Sequence, residues 1–184
     1  TMIRSRLAPY FLISLLALSS QQGNAEPLEL SEKLTKYHSI LLKRPSSSKL
    51  LQTFQNHWLA ERDEASLVEF LKQRAEDGSF ADRQIYAHLL LQKGLDKEAL
   101  GAFSHALKKD PNNAETLIDR SRCYSKLLDF DHALEDLEKA LKLSDDDELS
   151  LTANKLKGRF LIRSGRTDLA ISHWTALAEA NSTD

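Results

Sequence analysis

Residues 80–147 contain one pattern written twice, 34 residues apart. Shifting the chain by that distance places small residues on small ones and large apolar residues on large ones. The matching pairs are Ala87/Ser121, Leu90/Tyr124, Ala99/Ala133, Leu100/Leu134, Phe103/Leu137, Ala106/Ala140 and Leu107/Leu141. A fixed period of about 20–50 residues is typical of solenoids, in which each unit stacks on its neighbour. The repeat therefore predicts an architecture, but it does not identify a ligand.

Each copy carries apolar residues at a helical spacing with a break in the middle, at Gly94-Leu95-Asp96 and at Leu128-Asp129-Phe130. Each copy is therefore predicted to be two helices joined by a short turn. The shared small residues would let the two helices approach closely. The segment Asp110-Pro111-Asn112-Asn113 ends the first unit, because proline cannot continue a helix and asparagine is a favourable N-cap for the next one.

Segments 86–113 and 119–143 resemble the tetratricopeptide repeat (TPR), a 34-residue helix-turn-helix with the same small and large alternation and a closing proline. The match is strong over these two units and looser outside them. It implies an all-α fold, a right-handed α-solenoid of antiparallel helix pairs that forms a TPR superhelix. Another helical solenoid of similar period is the alternative.

The pattern divides the chain into five parts. They are a signal peptide (1–25), N-terminal helices with a degenerate repeat (26–79), two TPR units (80–113 and 114–147) and a TPR-like unit (151–184), which either ends here or continues in a longer protein. Three residues are inserted before the last unit, and its final helix is unusually apolar for a free end. The residues responsible are Ile171, Trp174, Leu177 and Ala178. Further repeats in a longer protein, a partner or self-association would cover them.

The N-terminal helices are predicted from their own apolar patterns. A helix over 28–43 would bury one face before Pro45, formed by Leu30, Leu34, Tyr37, Ile40 and Leu41. It is expected to pack on the next helix pair and cover the N-terminal end of the stack. A serine run, 46–48, then offers caps for a helix to about Leu59, and 63–65 opens another to about Glu76. The predicted core of this pair is Leu50, Leu51, Phe54, Trp58, Leu67, Phe70 and Leu71.

The first 25 residues have the pattern of an export signal. Arg4 and Arg6 precede an apolar run from Leu7 to Leu18, and small residues ending at Ala25 suit cleavage. The run is too short to span a bilayer, which needs about 20 apolar residues. We therefore expect a periplasmic or secreted protein. The alternative is an uncleaved signal that anchors the chain in the inner membrane.

Composition and motifs argue against several functions. A net charge of −2 gives no support for nucleic-acid binding. The six histidines form no HExxH pair, and the six glycines form no phosphate loop. Segment 129–132, Asp-Phe-Asp-His, fits a helix cap better than a metal site. Cys123 is the single cysteine and is interpreted as a packing residue. We therefore expect no enzyme activity, metal or cofactor.

The TPR resemblance implies that a ligand would bind on the concave face, lined by the first helix of each pair. The residues placed there are Gln84, His88, Gln92, Glu115, Asp119, Arg122, Lys126, Lys155, Arg159 and Arg163. Pairs of cations four residues apart, on two stacked helices, would form a basic grid that suits an acidic peptide. A solvated polar face explains the same residues, and Asp119 could neutralise Arg122.

One TPR subfamily holds a terminal carboxylate with lysine and asparagine on this face. Segment 119–121 resembles its Asn-Arg-Ser motif, but Asp119 replaces the asparagine and would repel a carboxylate. Gln84 and His88 also stand where lysine and asparagine are expected, so this role is rejected. The hypothesis is a non-catalytic TPR scaffold that binds a protein or peptide in an exported compartment. The alternative is the N-terminal regulatory module of a longer exported enzyme or sensor.

Overall fold

A computed structural model describes residues 30–182 of the chain. Within that range the chain forms nine α-helices that pack as antiparallel pairs. Their bounds are α1 Glu32–Lys43, α2 Ser48–Leu59, α3 Glu64–Asp77, α4 Phe80–Gln92, α5 Asp96–Lys109, α6 Ala114–Lys126, α7 Phe130–Leu143, α8 Asp147–Arg163 and α9 Thr167–Ser182. The predicted all-α fold of helix pairs is confirmed. The predicted signal peptide, 1–25, lies outside the described residues.

The helices start at residues whose side chains satisfy the free backbone N–H groups of the first turn. Ser47 accepts a hydrogen bond from the N–H of Leu50, and Asp63 accepts one from Ser66. Asn113 caps α6 in the same way through the N–H of Thr116, at 2.9 Å. Because such caps stabilise a helix by about 1 kcal/mol each, they set where α2, α3 and α6 begin. The predicted caps at the serine run, Asp63 and Asn113 are confirmed.

The small residues shared by the two clear repeats lie in the contact between paired helices. All six have no exposed surface: Ala87, Ala99, Ala106, Ser121, Ala133 and Ala140. Larger side chains at these positions would hold the helix axes apart. The steric role predicted for them from the repeat is confirmed.

The turns within the helix pairs share one unusual backbone conformation. Gly94, Leu128 and Gly165 have φ angles of 72°, 64° and 77°, in the left-handed region that favours glycine. They follow α4, α6 and α8 at matching positions. Leu128 therefore adopts a glycine conformation with a β-carbon, and its side chain is 70% exposed.

Helix α1 packs against α2 and also contacts α4, and it contacts α4 more than α3. Leu34 and Leu41 are fully buried, as expected, but Ile40 is 36% exposed. Its predicted place on the buried face is wrong. His38 is buried instead, with Nε2 3.4 Å from a carboxylate oxygen of Asp82. His38 takes the buried position that was predicted for Ile40, because α1 lies against the polar N-terminal turn of α4.

The core beneath α1 is aromatic. Phe54 and Trp58 of α2 are completely buried, and Phe70 of α3 packs on Trp58 with ring centroids 4.9 Å apart. The indole Nε1 of Trp58 donates to the backbone oxygen of Asp63 and the hydroxyl of Ser66. The core predicted for this pair is confirmed, although Leu50 and Phe70 are only partly buried.

The insertion before the third unit lengthens a helix. Helix α8 has 17 residues, whereas α4 and α6 have 13 each. Asp146 caps it through the N–H of Leu149, so the acidic run 145–148 starts α8 and does not form a separate loop.

At the C-terminal end of the stack, Leu169 and Ile171 of α9 are 58% and 60% exposed. Within residues 30–182 no helix has the length and apolar content needed to cross a bilayer.

Candidate functional site

Helices α4, α6 and α8 run in the same direction, because each is the first member of an antiparallel pair. We call the surface that they form the inner groove. It carries the ten residues that the sequence places on the concave face, three on α4, four on α6 and three on α8: Gln84, His88 and Gln92; Glu115, Asp119, Arg122 and Lys126; Lys155, Arg159 and Arg163. Their environments differ, and the differences decide which of them a ligand could reach.

Gln84 connects two helices. Its side chain is 2% exposed, and Nε2 donates to the hydroxyl of Thr116 on α6 at 2.5 Å. That hydroxyl in turn donates to Asn113, the cap of α6. The sequence places Gln84 on an open ligand-binding face, but a ligand could reach it only by breaking this chain of hydrogen bonds. Gln92, in contrast, is exposed and accepts a hydrogen bond from Gln55 of α2.

His88 and Asp119 form a buried pair below the surface of the groove. Asp119 is 3% exposed, and its Oδ2 lies 3.1 Å from Nε2 of His88. Neither atom has a hydrogen-bond partner of suitable geometry among the described residues. The imidazole also meets Phe103 edge-on, with centroids 5.1 Å apart. The pair therefore places a buried carboxylate at the floor of the groove, with one oxygen that accepts no hydrogen bond among the described residues.

The cations of α6 already have partners. Nη1 of Arg122 donates to Oδ1 of Asp119 at 2.6 Å, which is the neutralisation considered from the sequence. Nζ of Lys126 donates to Asp96 at 2.9 Å. These contacts reduce the positive charge that α6 offers to a ligand, so the predicted basic grid is weaker here than its residue types suggest.

Arg163 at the end of α8 binds back onto α6. Its guanidinium donates to the hydroxyl and the backbone oxygen of Ser125, at 2.6 and 3.3 Å. It also lies 5.3 Å from the ring centroid of Phe130. These contacts fix the side chain, so Arg163 joins two repeats and contributes to the groove mainly through its charge.

Lys155 and Arg159 differ from Lys126 and Arg163, the other exposed cations of the inner groove, because no described residue binds them. Both side chains are exposed. No hydrogen bond or ion pair links either one to another residue in the described part of the chain. They lie four residues apart on α8, and therefore on one face.

A cavity of about 460 Å³ opens between α6 and α8, near the N-terminal ends of both helices. We call it the acidic cavity. Its lining residues are Ser46, Glu115, Ile118, Asp119, Arg122, Asp146, Glu148, Leu149 and Thr152. Four carboxylates face one guanidinium, which leaves an excess of negative charge. Ser46, in the turn between α1 and α2, donates to Oε1 of Glu115 at 2.5 Å and closes one side.

The sequence places Glu115, Asp119 and Arg122 in this region but does not indicate the remaining wall. Asp146 and Glu148 belong to the acidic run, which has the pattern of a solvated turn. The insertion before the third unit is the available signal, because it extends α8 and carries these acids to the cavity. No local pattern indicates that Ser46, 69 residues from Glu115, joins them.

The other groups with potential chemistry have structural environments. Within the described residues, no three His, Cys, Asp or Glu side chains are placed to hold a metal ion. Asp129 caps α7 and contacts Nδ1 of His132 at 2.8 Å, and this contact raises the pKa of His132. Burial raises the pKa of the Cys123 thiol to about 12, with smaller effects of the same sign from Asp96 and Asp119. The cysteine is completely buried, which confirms its packing role.

No model of a known protein family matches the sequence. Among curated proteins, the chain is 27% identical over 110 residues to tetratricopeptide repeat protein 34 of Xenopus laevis. That match covers 59% of this chain but only 20% of the Xenopus protein. The chain thus spans about a fifth of the length of this relative.

Solved structures show the fold. A crystal structure of MamA superposes with a TM-score of 0.59, covering 82% of this chain and 87% of MamA at 16% identity. YrrB, described as a TPR protein with an unusual peptide-binding site, superposes with a TM-score of 0.54 at 21% identity. The match covers 78% of this chain and 73% of YrrB. The thermophilic TPR protein TTC0263 of Thermus thermophilus superposes with a TM-score of 0.52 at 21% identity, covering 79% of this chain and 80% of TTC0263. The chain therefore has a TPR-like fold.

Proposed function

We propose that this chain, which has a TPR-like fold, is a non-catalytic scaffold that binds a segment of a partner protein in its inner groove. The observation that carries the proposal is the pair Lys155 and Arg159, two exposed cations without partners among residues 30–182. Both are on the helix that also lines the acidic cavity. YrrB, a protein of the same fold, is described as having a peptide-binding site, and this supports a peptide-binding role for the chain.

An acidic group of the partner would meet Lys155 and Arg159. Arginine can hold a carboxylate through two parallel hydrogen bonds, and lysine adds a second positive charge one helical turn earlier. Gln92 and Lys126 lie at the same ends of α4 and α6, and their exposed side chains can contact the segment. Gln84 and His88 would shape the floor of the groove and would not contact the ligand directly.

The test is affinity capture with the full chain as bait, comparing wild type with the double variant Lys155→Glu and Arg159→Glu. We expect a partner that elutes at moderate salt from the wild type and is not retained by the variant, since reversed charges repel an acidic group. Arg122 is left unchanged because its guanidinium compensates the buried Asp119.

The matched control reverses two exposed lysines on second helices, Lys97→Glu and Lys142→Glu. It changes net charge equally but leaves the inner groove intact, so the partner should still bind. Equal retention of the partner by all three proteins would contradict the proposal. Loss in both variants would show that binding depends on net charge and not on the groove.

A second function is favoured by the exposed face of α9. Leu169 and Ile171 are more than half exposed, and Trp174 is only partly buried. Such a face suits contact with another domain, as expected for a regulatory module of a longer exported enzyme or sensor. The full reading frame of the gene tests this: a catalytic motif downstream of Asp184 would support it, and a stop codon there would contradict it.

Export is proposed from residues 1–25 alone. Mass spectrometry of the protein isolated from its native cells should find a mature chain that begins at Glu26. A chain that retains the apolar run Leu7 to Leu18 and sediments with membranes would instead support the anchored alternative.

A further inference from the structure

The inner groove has opposite charges at its two ends. Glu115 and Glu148 lie in the first turns of α6 and α8, whereas Lys126 and Arg163 lie in the last turns. This order complements the helix dipoles, but it also charges the groove along its length. From Glu148 to Arg159 the separation is about 16 Å at 1.5 Å per residue. Since this exceeds the Debye length of about 8–10 Å at physiological salt, each end attracts a ligand independently.

The acidic end is a built cavity and not only a group of surface acids. Its walls come from three separate segments: the α1–α2 turn through Ser46, the start of α6, and the extended start of α8. Asp146 is held there by its hydrogen bond to the N–H of Leu149. Leu149 and Ile118 add apolar surface, which suits the methylene stem of a long side chain.

Asp119 provides a second, independent indication. It lines the acidic cavity and is 3% exposed, and its Oδ2 lies 3.1 Å from Nε2 of His88 but accepts no hydrogen bond among the described residues. Arg122 binds only the other oxygen, Oδ1. Arg122 supplies one positive charge, but burying a carboxylate oxygen that accepts no hydrogen bond is still costly. An additional cation in the cavity would lower that cost.

We infer that the acidic cavity binds a lysine or arginine side chain of the segment held in the inner groove. This inference rests on the proposed function and adds to it the chemistry and direction of the ligand. The cationic residue would enter between Glu115 and Glu148, and an acidic residue of the same segment would meet Lys155 and Arg159. The segment would then bind in one orientation, with its charges opposite to those of the groove.

Three fluorescein-labelled Gly-Ser peptides of equal length test the inference, one carrying two arginines, one carrying two glutamates and one carrying an arginine pair and a glutamate pair at opposite ends. Fluorescence anisotropy with the full chain measures their affinities at about 0.1 M salt. The wild type should bind the arginine peptide, and it should bind the mixed peptide more tightly than either of the others.

Glu115→Gln with Glu148→Gln removes two charges from the cavity and keeps the side-chain shapes. Binding of the arginine peptide should weaken about tenfold, as for loss of two charge contacts, and binding of the glutamate peptide should not weaken. Glu69→Gln with Glu135→Gln removes the same charge from exposed positions on α3 and α7, and it should leave the affinity within about twofold. Circular dichroism verifies that each variant is folded.

The inference is overturned if the wild type fails to bind the arginine peptide, or if the cavity variant and the control variant bind it equally. These outcomes are separable from failure of the proposed function. The double variant Lys155→Glu and Arg159→Glu should weaken binding of the glutamate peptide and leave binding of the arginine peptide unweakened. Retention of that effect without arginine binding would leave the scaffold proposal standing and reject the cation site.

Discussion

The indole of Trp174 fills the space that a side chain at Gly158 would need. A β-carbon on Gly158 would lie 2.3 Å from Cε2 and Cζ2 of the indole. Gly158 occupies the position taken by Ala87 and Ser121 in the earlier repeats. Because glycine has no side chain, the third unit has room at this position for the larger indole of Trp174 from α9. The contact between α8 and α9 therefore depends on this glycine.

Gly158→Ala should destabilise the fold. The clash would displace Trp174 and lower the free energy of unfolding by about 1–3 kcal/mol, the usual cost of overpacking. Gly101→Ala is the matched control, because it lies within α5 and a β-carbon there would meet nothing within 4 Å. It should stabilise by about 0.5–1 kcal/mol through helix propensity. Urea denaturation followed by circular dichroism measures both, and equal effects would contradict the packing argument.

Leu128→Gly should stabilise the protein despite removing an apolar side chain. Leu128 has a φ of 64° and is 70% exposed, so the backbone strain outweighs the small loss of packing. A non-glycine residue in this conformation costs about 1–2 kcal/mol, and glycine's larger loss of entropy offsets part of that gain. The net gain should be about 0.5–1 kcal/mol in thermal or urea unfolding.

Gly94→Ala is the reverse experiment at the matching turn. Gly94 has a φ of 72°, and its β-carbon would meet nothing within 4 Å, so any effect comes from the backbone alone. Alanine should destabilise by about 1 kcal/mol. If neither Leu128→Gly nor Gly94→Ala changes stability, the left-handed conformation carries no strain at these turns.

Asp82 should make the fold sensitive to acid. Burial alone would raise the pKa of Asp82, but polar contacts with His38 and Ser79 and the charge of Arg74 outweigh it, and the pKa lies well below its ordinary value. A carboxyl with a lowered folded-state pKa contributes stability above its unfolded pKa of about 3.9 and loses it as pH falls further. The free energy of unfolding should therefore decline below about pH 4–5.

Asp82→Asn isolates this contribution. The variant should be less stable at neutral pH, because the asparagine cannot replace the charged contacts, but its stability should fall less steeply with acid. Urea unfolding at a series of pH values gives both slopes. Parallel curves for wild type and variant would show that other carboxyls dominate the acid response.

Cys123 should be unreactive in the folded protein. The thiol is completely buried, and burial raises its pKa to about 12, so thiolate is scarce at neutral pH. A thiol reagent such as dithionitrobenzoate should modify it only on unfolding. Its rate in increasing urea should follow the unfolded fraction seen by circular dichroism, and fast modification in native buffer would contradict the packing role.

The sequence predicts the helix pairs well because their causes are local or periodic. The small residue at Ala133 and the cap at Asp63 are recognisable without knowledge of distant partners. The turn at Leu128 is predicted by the break in the helical pattern, and it aligns with Gly94 at a spacing of 34 residues. Only the structure shows that Leu128 shares the left-handed backbone of Gly94.

The candidate site is harder to predict because its polar residues find partners far along the chain. Gln84 bonds Thr116, 32 residues away, and Lys126 bonds Asp96, 30 residues away. Helical periodicity assigns such residues to a face but cannot tell whether a neighbouring helix already satisfies them. The burial of His38 escapes prediction for the same reason, since only the fold places Asp82 beside it.

The hydrogen bond from Ser46 to Glu115 joins residues 69 positions apart. In a linear array each repeat contacts only its immediate neighbours, and unfolding can proceed inward from an end without altering distant repeats. This hydrogen bond and the contact of α1 with α4 link the α1–α2 hairpin to α6 and to α4. Separation of α1 and α2 from the stack would therefore remove Ser46 from the wall of the acidic cavity, so we expect the first hairpin to shape the groove as well as to cover the end of the stack.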